Sequence, residues 1–311
     1  MNKKVWLSGS RGFVGKYLKD FLINEGYNIE SLSYSDLNDE VIKIDFSRKE
    51  DIEELILKKG IPDIFIHLGW GRVYEPHKKI HVLQNLKDGK NLIDTLYQNG
   101  LQKFILLGSS SEYGDLEGEL KEEMEIPEPA NNYVKGKVSL CHYGLKKAKE
   151  FNKVFIHVRL FYAYGAGQQH NSLVNQLYKN SIENKGMQLS PCEHYRDYIY
   201  IEDVVKGIEK ISQIDKSTIV NLGSGRVIQL KDFVIRFWQE LGSDLIDLSF
   251  GSHKQPSSEQ SQPKSYADLG RLKNLTYWLP SISLKDGIKK TVKQLFFLVK
   301  KNDLSTKSNL Q

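Results

Sequence analysis

Three short stretches carry side chains that could do chemistry. In "NNYVKGKVSLCHYGLKKAKEF" (131–151), Tyr133 and Lys137 stand four residues apart, so on a helix they share one face. An ammonium beside a phenol favours the phenolate and lowers the tyrosine pKa from about 10 toward working pH. Such a tyrosine can exchange a proton with a substrate oxygen while hydride moves; the bland alternative is a pair on the surface. In "GSRGFVG", Gly9, Gly12 and Gly15 recur every third residue between an apolar run and a helical pattern. Glycines there let backbone amides approach a pyrophosphate at a helix N-terminus, which predicts dinucleotide binding through Gly9, Gly12, Gly15 and the intervening Phe13 and Val14. In "LLGSSSEYG" (106–114), three serines, a glutamate and a tyrosine follow a buried-strand pattern. That is either a turn or a site at the carboxyl end of a strand.

The second strand of a dinucleotide-binding unit usually ends in an acid that holds the ribose 2′-hydroxyl. Here that position is near Ser33, in "IESLSYSD", and Asp36 comes three residues later. Arg11 lies inside the glycine turn, where a guanidinium could grip a 2′-phosphate. NADP (as NADPH) is therefore favoured and NAD remains possible; the alternative is an exposed Arg11 with Asp36 reaching the ribose.

These groups need elements to hold them. Strand patterns fall at Val5–Leu7, Ile29–Ser33, Val41–Ile44, Ile64–Leu68, Phe104–Leu107, Val154–Arg159 and Thr218–Leu222. Helical patterns fall at Lys16–Glu25, Lys49–Lys59, Ile80–Asn99 and Tyr133–Phe151. In the last, Val134, Val138, Cys141, Leu145 and Ala148 form the apolar face, with Tyr133 and Lys137 expected on another. Strands alternating with helices predict an α/β fold with a Rossmann-type doubly wound parallel sheet. Beyond about residue 160 the alternation loosens, which predicts a smaller mixed α/β C-terminal lobe. The expected division is residues 1–163, with 190–222 returning to it, then 164–189 and 223–299, and a tail at 300–311. The polar stretch 251–265 reads as a loop.

Composition is that of a globular chain: 311 residues, 40% hydrophobic, 27% charged, net charge +5. The mild basicity suits an anionic small molecule and does not call for nucleic acid. Two cysteines cannot build a disulfide framework, so a reducing compartment, the cytoplasm, is expected. No apolar run is long enough to span a membrane, and no signal-peptide pattern precedes the first strand.

The motifs "GSRGFVG", "LLGSSSEYG" and "YVKGK" together resemble those of the extended short-chain dehydrogenase/reductases: the nucleotide-sugar epimerases, dehydratases and reductases. "IFIHLGW", "VRLFYAYGAGQ", "YRDYIYIEDVV" and "NLGSGRVIQLKDF" are similar to further family motifs in the same order. The resemblance implies a nucleoside-diphosphate sugar as substrate and a homodimer formed by helices 80–99 and 133–151. It implies that Ser109 bonds the reacting sugar oxygen beside Tyr133 and that Lys137 holds the nicotinamide ribose. It adds Asp45, Phe46, Leu68, Gly69, Trp70 and Asn85 to the cofactor site. Ser110, Ser111, Tyr162, Ser172 and Arg196 become substrate candidates. For Arg196, expected on the pyrophosphate, the alternative is a salt bridge with Asp197 or Glu202.

Departures from the family narrow the reaction. The dehydratases carry acids where this chain has Ser110 and Ser111, and a hydroxyl cannot replace a carboxyl in that proton transfer. Glu112 stands one place too late unless the loop shifts. The double epimerases use a cysteine at the position of Ser111. Tyr162 replaces the usual asparagine. Simple hydride chemistry remains: NADPH-dependent reduction of a 4-keto, 6-deoxy sugar with Tyr133 as general acid, or C4 epimerisation with retained NAD. The third alternative is a non-catalytic, dinucleotide-sensing protein. Cys192-Glu193-His194 is too compact to surround one ion, so no metal is expected. His67, in an apolar strand, is expected to be packed.

Overall fold

The computed structural model describes residues 3–34, 41–252 and 264–308. Asp36 and most of the polar stretch 251–265 lie outside them. The first half of the chain alternates as its periodicity requires: β1 (Lys4–Ser8), α1 (Phe13–Asn24), β2 (Asn28–Ser33), β3 (Ile42–Lys43), α2 (Lys49–Lys59), β4 (Ile64–His67), α3 (Leu86–Gln98), β5 (Lys103–Ser109), β6 (Gly118–Leu120), α4 (Asn132–Phe151) and β7 (Val154–Leu160). The second half is β8 (Tyr162–Tyr164), α5 (Leu173–Ile182), β9 (Met187–Leu189), β10 (Tyr195–Tyr200), α6 (Ile201–Ser212), β11 (Thr218–Leu222), β12 (Val227–Gln229), α7 (Leu230–Glu240), β13 (Leu248–Phe250), β14 (Ser265–Ala267), α8 (Gly270–Thr276) and α9 (Leu284–Ser308). Helix α9 runs on to Ser308 through most of the segment expected as a tail.

Seven strands form one parallel sheet in the order β11-β7-β5-β4-β1-β2-β3. The strand order reverses between β1 and β4, so the carboxyl ends of these strands open the crevice where such sheets bind ligands. Alternate residues face opposite sides. Val5, Leu7, Ile64, Ile66, Ile105, Ile156 and Val158 enter one core with Leu18 and Leu22 of α1 and Val204 and Ile208 of α6. Trp6, Phe65, Phe104 and Phe155 enter the other, against Leu92 and Leu96 of α3 and Leu140 of α4. In register, Phe65, Phe104 and Phe155 stack at centroid distances of 5.1 and 5.7 Å. Burying each ring contributes roughly 1.5–3 kcal/mol, so this aromatic row pins the strands that end at the site.

Other short strands pair in separate small sheets: β12-β10-β8, β13-β9 and β14-β6. Among the described residues, no helix is long and apolar enough to cross a membrane.

Three local differences from the sequence reading matter for the site. Helix α1 begins at Phe13, not Lys16, because the glycine turn itself supplies its first residues. The helix expected over Ile80–Asn99 opens as a π-helical turn, His81–Asn85, before α3. On α4, Lys137 lies on the buried side with Val134, Leu140, Cys141 and Gly144, while Val138 and Leu145 are only part-buried. The expected separation of faces fails because the lysine's ammonium finds a backbone carbonyl inside.

Candidate active site

The glycine turn is built by close approach. Gly9 has φ 77°, and a Cβ there would stand 2.6 Å from the Gly69 nitrogen. A Cβ on Gly15 would meet the Gly9 carbonyl oxygen at 2.0 Å. Gly12 is different: the nearest neighbour to a methyl there would be the Gly9 oxygen at 3.4 Å, so packing does not demand glycine. Gly12 caps α1 and no side chain caps the helix. Ser10 Oγ, inside the turn, is buried without a hydrogen-bond partner. Uncapped first-turn amides, a partnerless buried hydroxyl and an open glycine side fit a dinucleotide pyrophosphate.

Beside this turn lies a cleft of about 480 Å³. Of the expected cofactor residues, Gly9, Ser33, Phe46, Gly69, Trp70 and Asn85 line it. Leu68, Asp45, Arg11, Gly12, Phe13, Val14, Gly15 and Lys137 are not among its lining residues. Asp45 instead accepts from the Ser47 amide and hydroxyl at 2.9 and 2.7 Å, which holds its carboxyl below the ordinary range. Arg11 is exposed in the turn. The lining also contains residues the sequence reading missed: Tyr34, Gln84 and Asp88. Asp88 is buried, accepts from Gln84 Nε2 at 2.9 and 3.0 Å, and accepts the Tyr34 hydroxyl. Their only sequence signal is the i,i+4 spacing of Gln84 and Asp88.

Strand β5 ends at Ser109, and a 3₁₀ turn, Ser110–Tyr113, follows at once. A capping box closes it: Ser109 Oγ accepts from the Ser111 amide at 3.1 Å, and Glu112 Oε1 accepts from the Ser109 amide at 2.9 Å. The serines of "LLGSSSEYG" are thus both a turn and part of the site. Asn131 caps α4 by accepting from the Val134 amide at 3.0 Å, which sets where Tyr133 emerges. Ser110, Ser111, Tyr133, Tyr162 and Arg196 line a second cleft of about 580 Å³. Lys137 lies behind, its Nζ donating to the Leu107 carbonyl at 2.6 Å.

Electrostatics here are set by burial. Burial and the charge of Glu112 push the Tyr133 phenol up to about 12, against a hydrogen bond from Ser109 that lowers it. Burial pushes Lys137 down to about 7, partly offset by Glu112. The expected lowering of Tyr133 by Lys137 is therefore not the state of the free protein: the desolvated lysine is engaged by Leu107 and Trp70. Burial and then the Lys137 charge hold His67 neutral, down to about 3, and its Nδ1 lies 2.7 Å from Ser8 Oγ. His67 is packed, as its strand position predicts.

Arg196 lies over the Tyr162 ring, 4.4 Å from its centre, and donates to the Tyr195 carbonyl at 3.1 Å. The alternative salt bridges do not form: Asp197 accepts from the Ser224, Gly225 and Ala267 amides, and Glu202 pairs with Lys290. Ser172 lies outside the second cleft; its hydroxyl caps α5 by accepting from Asn175. Among the described residues no cluster of three or more His, Cys, Asp or Glu could hold a metal.

Glu112 turns into the protein and is fully buried. Its carboxylate meets His157 Nε2 at 2.8 Å and Arg159 Nε at 3.1 Å, both from β7. It cannot reach the second cleft, so the loop shift that would make it a dehydratase acid does not occur.

The sequence pattern of the NAD dependent epimerase/dehydratase family matches residues 5–223. A dTDP-4-dehydro-6-deoxyglucose reductase of Escherichia coli is 26% identical, over 94% of this chain and 97% of its own length. A crystal structure of UDP-glucose 4-epimerase from Thermotoga maritima with UDP-glucose superposes with a TM-score of 0.85 at 22% identity, covering 95% of this chain and 99% of that one. A UDP-glucose 4-epimerase of Thermus thermophilus in complex with NAD gives 0.78 at 20% identity, covering 93% and 98%. The parallel sheet matches that of these neighbours, and the chain belongs to the NAD dependent epimerase/dehydratase family, whose members are NAD(P)-dependent enzymes that modify nucleotide sugars.

Proposed function

We propose that the protein reduces the 4-keto group of a nucleoside-diphosphate sugar, 6-deoxy at its far end, with NADPH. The observation that carries this reading is the composition of the second cleft at the end of β5. Tyr133 lines it with Ser110 and Ser111, while the only carboxylate of the turn, Glu112, is turned away and buried. That arrangement supplies a proton for an alkoxide; of the two carboxylates that do line the cleft, Asp197 is tied up by the Ser224, Gly225 and Ala267 amides and Asp115 lies past the turn, so neither occupies the Ser110 or Ser111 position from which a dehydratase acid would act. The likeness to a 4-dehydro sugar reductase supports the same direction.

When bound, NADPH supplies a hydride from the nicotinamide C4. Tyr133 then gives its phenolic proton to the sugar O4 as the carbon accepts the hydride, and regains a proton from solvent. Ser109 holds the same oxygen. Lys137, protonated, stabilises the phenolate that forms and leaves its Leu107 carbonyl for the nicotinamide ribose. Gly9, Gly12, Gly15 and the first-turn amides of Phe13 and Val14 hold the pyrophosphate, with Trp70 and Asn85 along the cleft. Arg11 takes the 2′-phosphate, since β2 itself ends in Ser33 and not in an acid. Arg196, free of carboxylate partners among the described residues, takes the sugar-nucleotide diphosphate, with Tyr162 beneath it.

One observation favours a second reading, C4 epimerisation with retained NAD. Asp88 and Tyr34 line the cofactor cleft near the end of β2, where a carboxylate opposes a 2′-phosphate. Incubation with NADPH and 4-keto sugars on GDP, dTDP, UDP and CDP, followed at the nicotinamide absorbance, separates the two. Consumption of one supports reduction. Interconversion of an unmodified hexose with no net cofactor change establishes epimerisation instead. We also propose a two-fold homodimer through α3 and α4; a monomer by light scattering at micromolar concentration refutes it.

A further inference from the structure

Helix α9 is anchored along one face and then outruns its anchor. Ile288, Val292 and Leu295, spaced by four and three residues, are buried in the core, with Thr291 buried among them. The next three residues break the pattern: Phe296, Phe297 and Leu298 are 41%, 67% and 45% exposed. Phe296 still touches the body, edge-on to Tyr178 of α5 with ring centres 5.3 Å apart. Phe297 and Leu298 line a groove of about 560 Å³ with Lys290, Lys293 and Gln294 of the same helix and Tyr17 of α1.

Single apolar side chains on a surface need no explanation, but three in a row where a helix leaves its core do. Consecutive residues of a helix stand about 100° apart, so these three spread over about 200° of its circumference. A groove on a protein partner takes a narrower stripe, at i, i+3, i+4 and i+7. A helix apolar over a wide arc is buried, in a large core or in lipid. A fluid apolar phase accepts side chains from every direction at once.

The charges around the patch define the surface it suits. Lys285, Lys289, Lys290 and Lys293 are all exposed on α9. Lys290 pairs with Glu202; among the described residues the other three pair with no carboxylate. The one acid between Leu284 and Leu298, Asp286, bonds the Ser283 hydroxyl at the far end of the segment. The sequence continues beyond the patch with Val299, Lys300 and Lys301. Lysines beside aromatic and aliphatic side chains are the composition of helices that lie in the interface of an anionic bilayer. The groove repeats the pairing, with two ammonium groups for a phosphate and an apolar wall for an acyl chain. A second copy of this chain would bring the same lysines against these, which opposes self-docking.

We propose that the projecting part of α9 is a membrane-docking surface. Phe296, Phe297 and Leu298 enter the boundary between headgroups and acyl chains of an anionic bilayer, and Lys289, Lys290 and Lys293 meet its phosphates. The helix lies on the membrane and does not cross it. None of these residues lines the cofactor cleft or the second cleft, so docking is separate from the chemistry.

Vesicle co-sedimentation of the full chain tests this, with vesicles of phosphatidylcholine alone and of phosphatidylcholine and phosphatidylglycerol in equal parts. The protein sediments with the anionic vesicles at low salt and is released as salt rises; it stays in solution with phosphatidylcholine alone. Phe297→Ser combined with Leu298→Ser lowers vesicle affinity at least about tenfold. Both side chains are exposed, so the thermal midpoint and cofactor titration of this variant stay at the wild-type values. Lys289→Gln combined with Lys293→Gln lowers affinity about twentyfold, since each lysine near such a surface is worth about fivefold, and flattens the salt dependence. No sedimentation with anionic vesicles overturns the proposal, and so does sedimentation undiminished in the Phe297→Ser, Leu298→Ser variant. Light scattering without vesicles addresses the other occupant: an oligomer that this variant dissolves assigns the patch to a second copy and overturns the proposal, and an oligomeric state it leaves unaltered supports it.

Discussion

The Lys137 Nζ stands 4.0 Å from the centre of the Trp70 ring while it donates at 2.6 Å to the Leu107 carbonyl. The ammonium is thus held in place before a cofactor arrives, and less side-chain freedom is lost on binding. Lys137→Ala should lower both cofactor affinity and turnover. Trp70→Ala should raise the KM for cofactor several-fold with a smaller effect on kcat; steady-state kinetics in both substrates separate the two outcomes.

Tyr133→Phe keeps the ring that packs edge-on to His81, with centroids 5.5 Å apart, and removes only the hydroxyl. General acid catalysis is worth about 10²–10⁴-fold. Turnover should fall by that factor while cofactor titration, read by fluorescence, stays at the wild-type value. Full activity in this variant would make the tyrosine structural.

The three glycines of the turn should separate by role. Gly9→Ala and Gly15→Ala place a methyl 2.6 and 2.0 Å from backbone atoms, so both should lower the thermal midpoint sharply. Gly12→Ala, with 3.4 Å to its nearest neighbour, should melt near the wild type yet lose cofactor affinity. Equal melting losses in all three would argue that the turn is only a packing device.

Arg11 and the serine-ended β2 predict that NADPH binds at least about tenfold tighter than NADH, or about 1.4 kcal/mol. Arg11→Ala should abolish the difference by weakening NADPH alone. A wild-type preference for NADH would hand the ribose to Asp88 and Tyr34 and promote the epimerase reading.

The Glu112–His157 pair carries a pH signature in stability. Although burial opposes it, the pairing holds Glu112 at about 2, below its ordinary 4.5; its contribution is full above 4.5 and disappears as pH falls through 2. Burial likewise works against His157, yet Cys141 and Glu112 hold it up to about 9 from 6.5; that contribution is full below 6.5 and disappears as pH rises through 9. The stability difference between wild type and Glu112→Gln should therefore be greatest from about pH 4.5 to 6.5 and shrink on either side. Denaturant melts across pH show it, and a constant difference would refute it.

Local spacing made much of this legible. The glycine turn is set by neighbours in sequence, and Tyr133 and Lys137 by one helical turn. β5 was readable from its apolar run, and α2 from its periodicity. What escaped notice joins distant segments. Glu112 lies 45 and 47 residues from His157 and Arg159, and only strand pairing brings them together. Apolar periodicity put Lys137 on another face than Val134 and Cys141 because it has no means of seeing the Leu107 carbonyl of β5 that receives the ammonium. The amide that Ser172 Oγ accepts from, three residues on, leaves no mark in the sequence beyond the serine itself.

The π-helical turn His81–Asn85 holds one residue more than regular helical winding would. At 3.6 residues per turn, that extra residue rotates everything before it by about 100° relative to α3. Asn85, which donates to the Gly71 carbonyl at 3.0 Å, can therefore face the cleft, and buried His81 can accept from the Trp70 indole at 3.0 Å, while Leu92 and Leu96 still face the sheet. Loss of a single position in this segment should therefore cost more than exchange of a side chain that makes no contact with the cleft. Deleting any one of residues 82–85 would rewind the turn and swing His81, the indole's partner, away from Trp70, with every residue of α3 itself left in place.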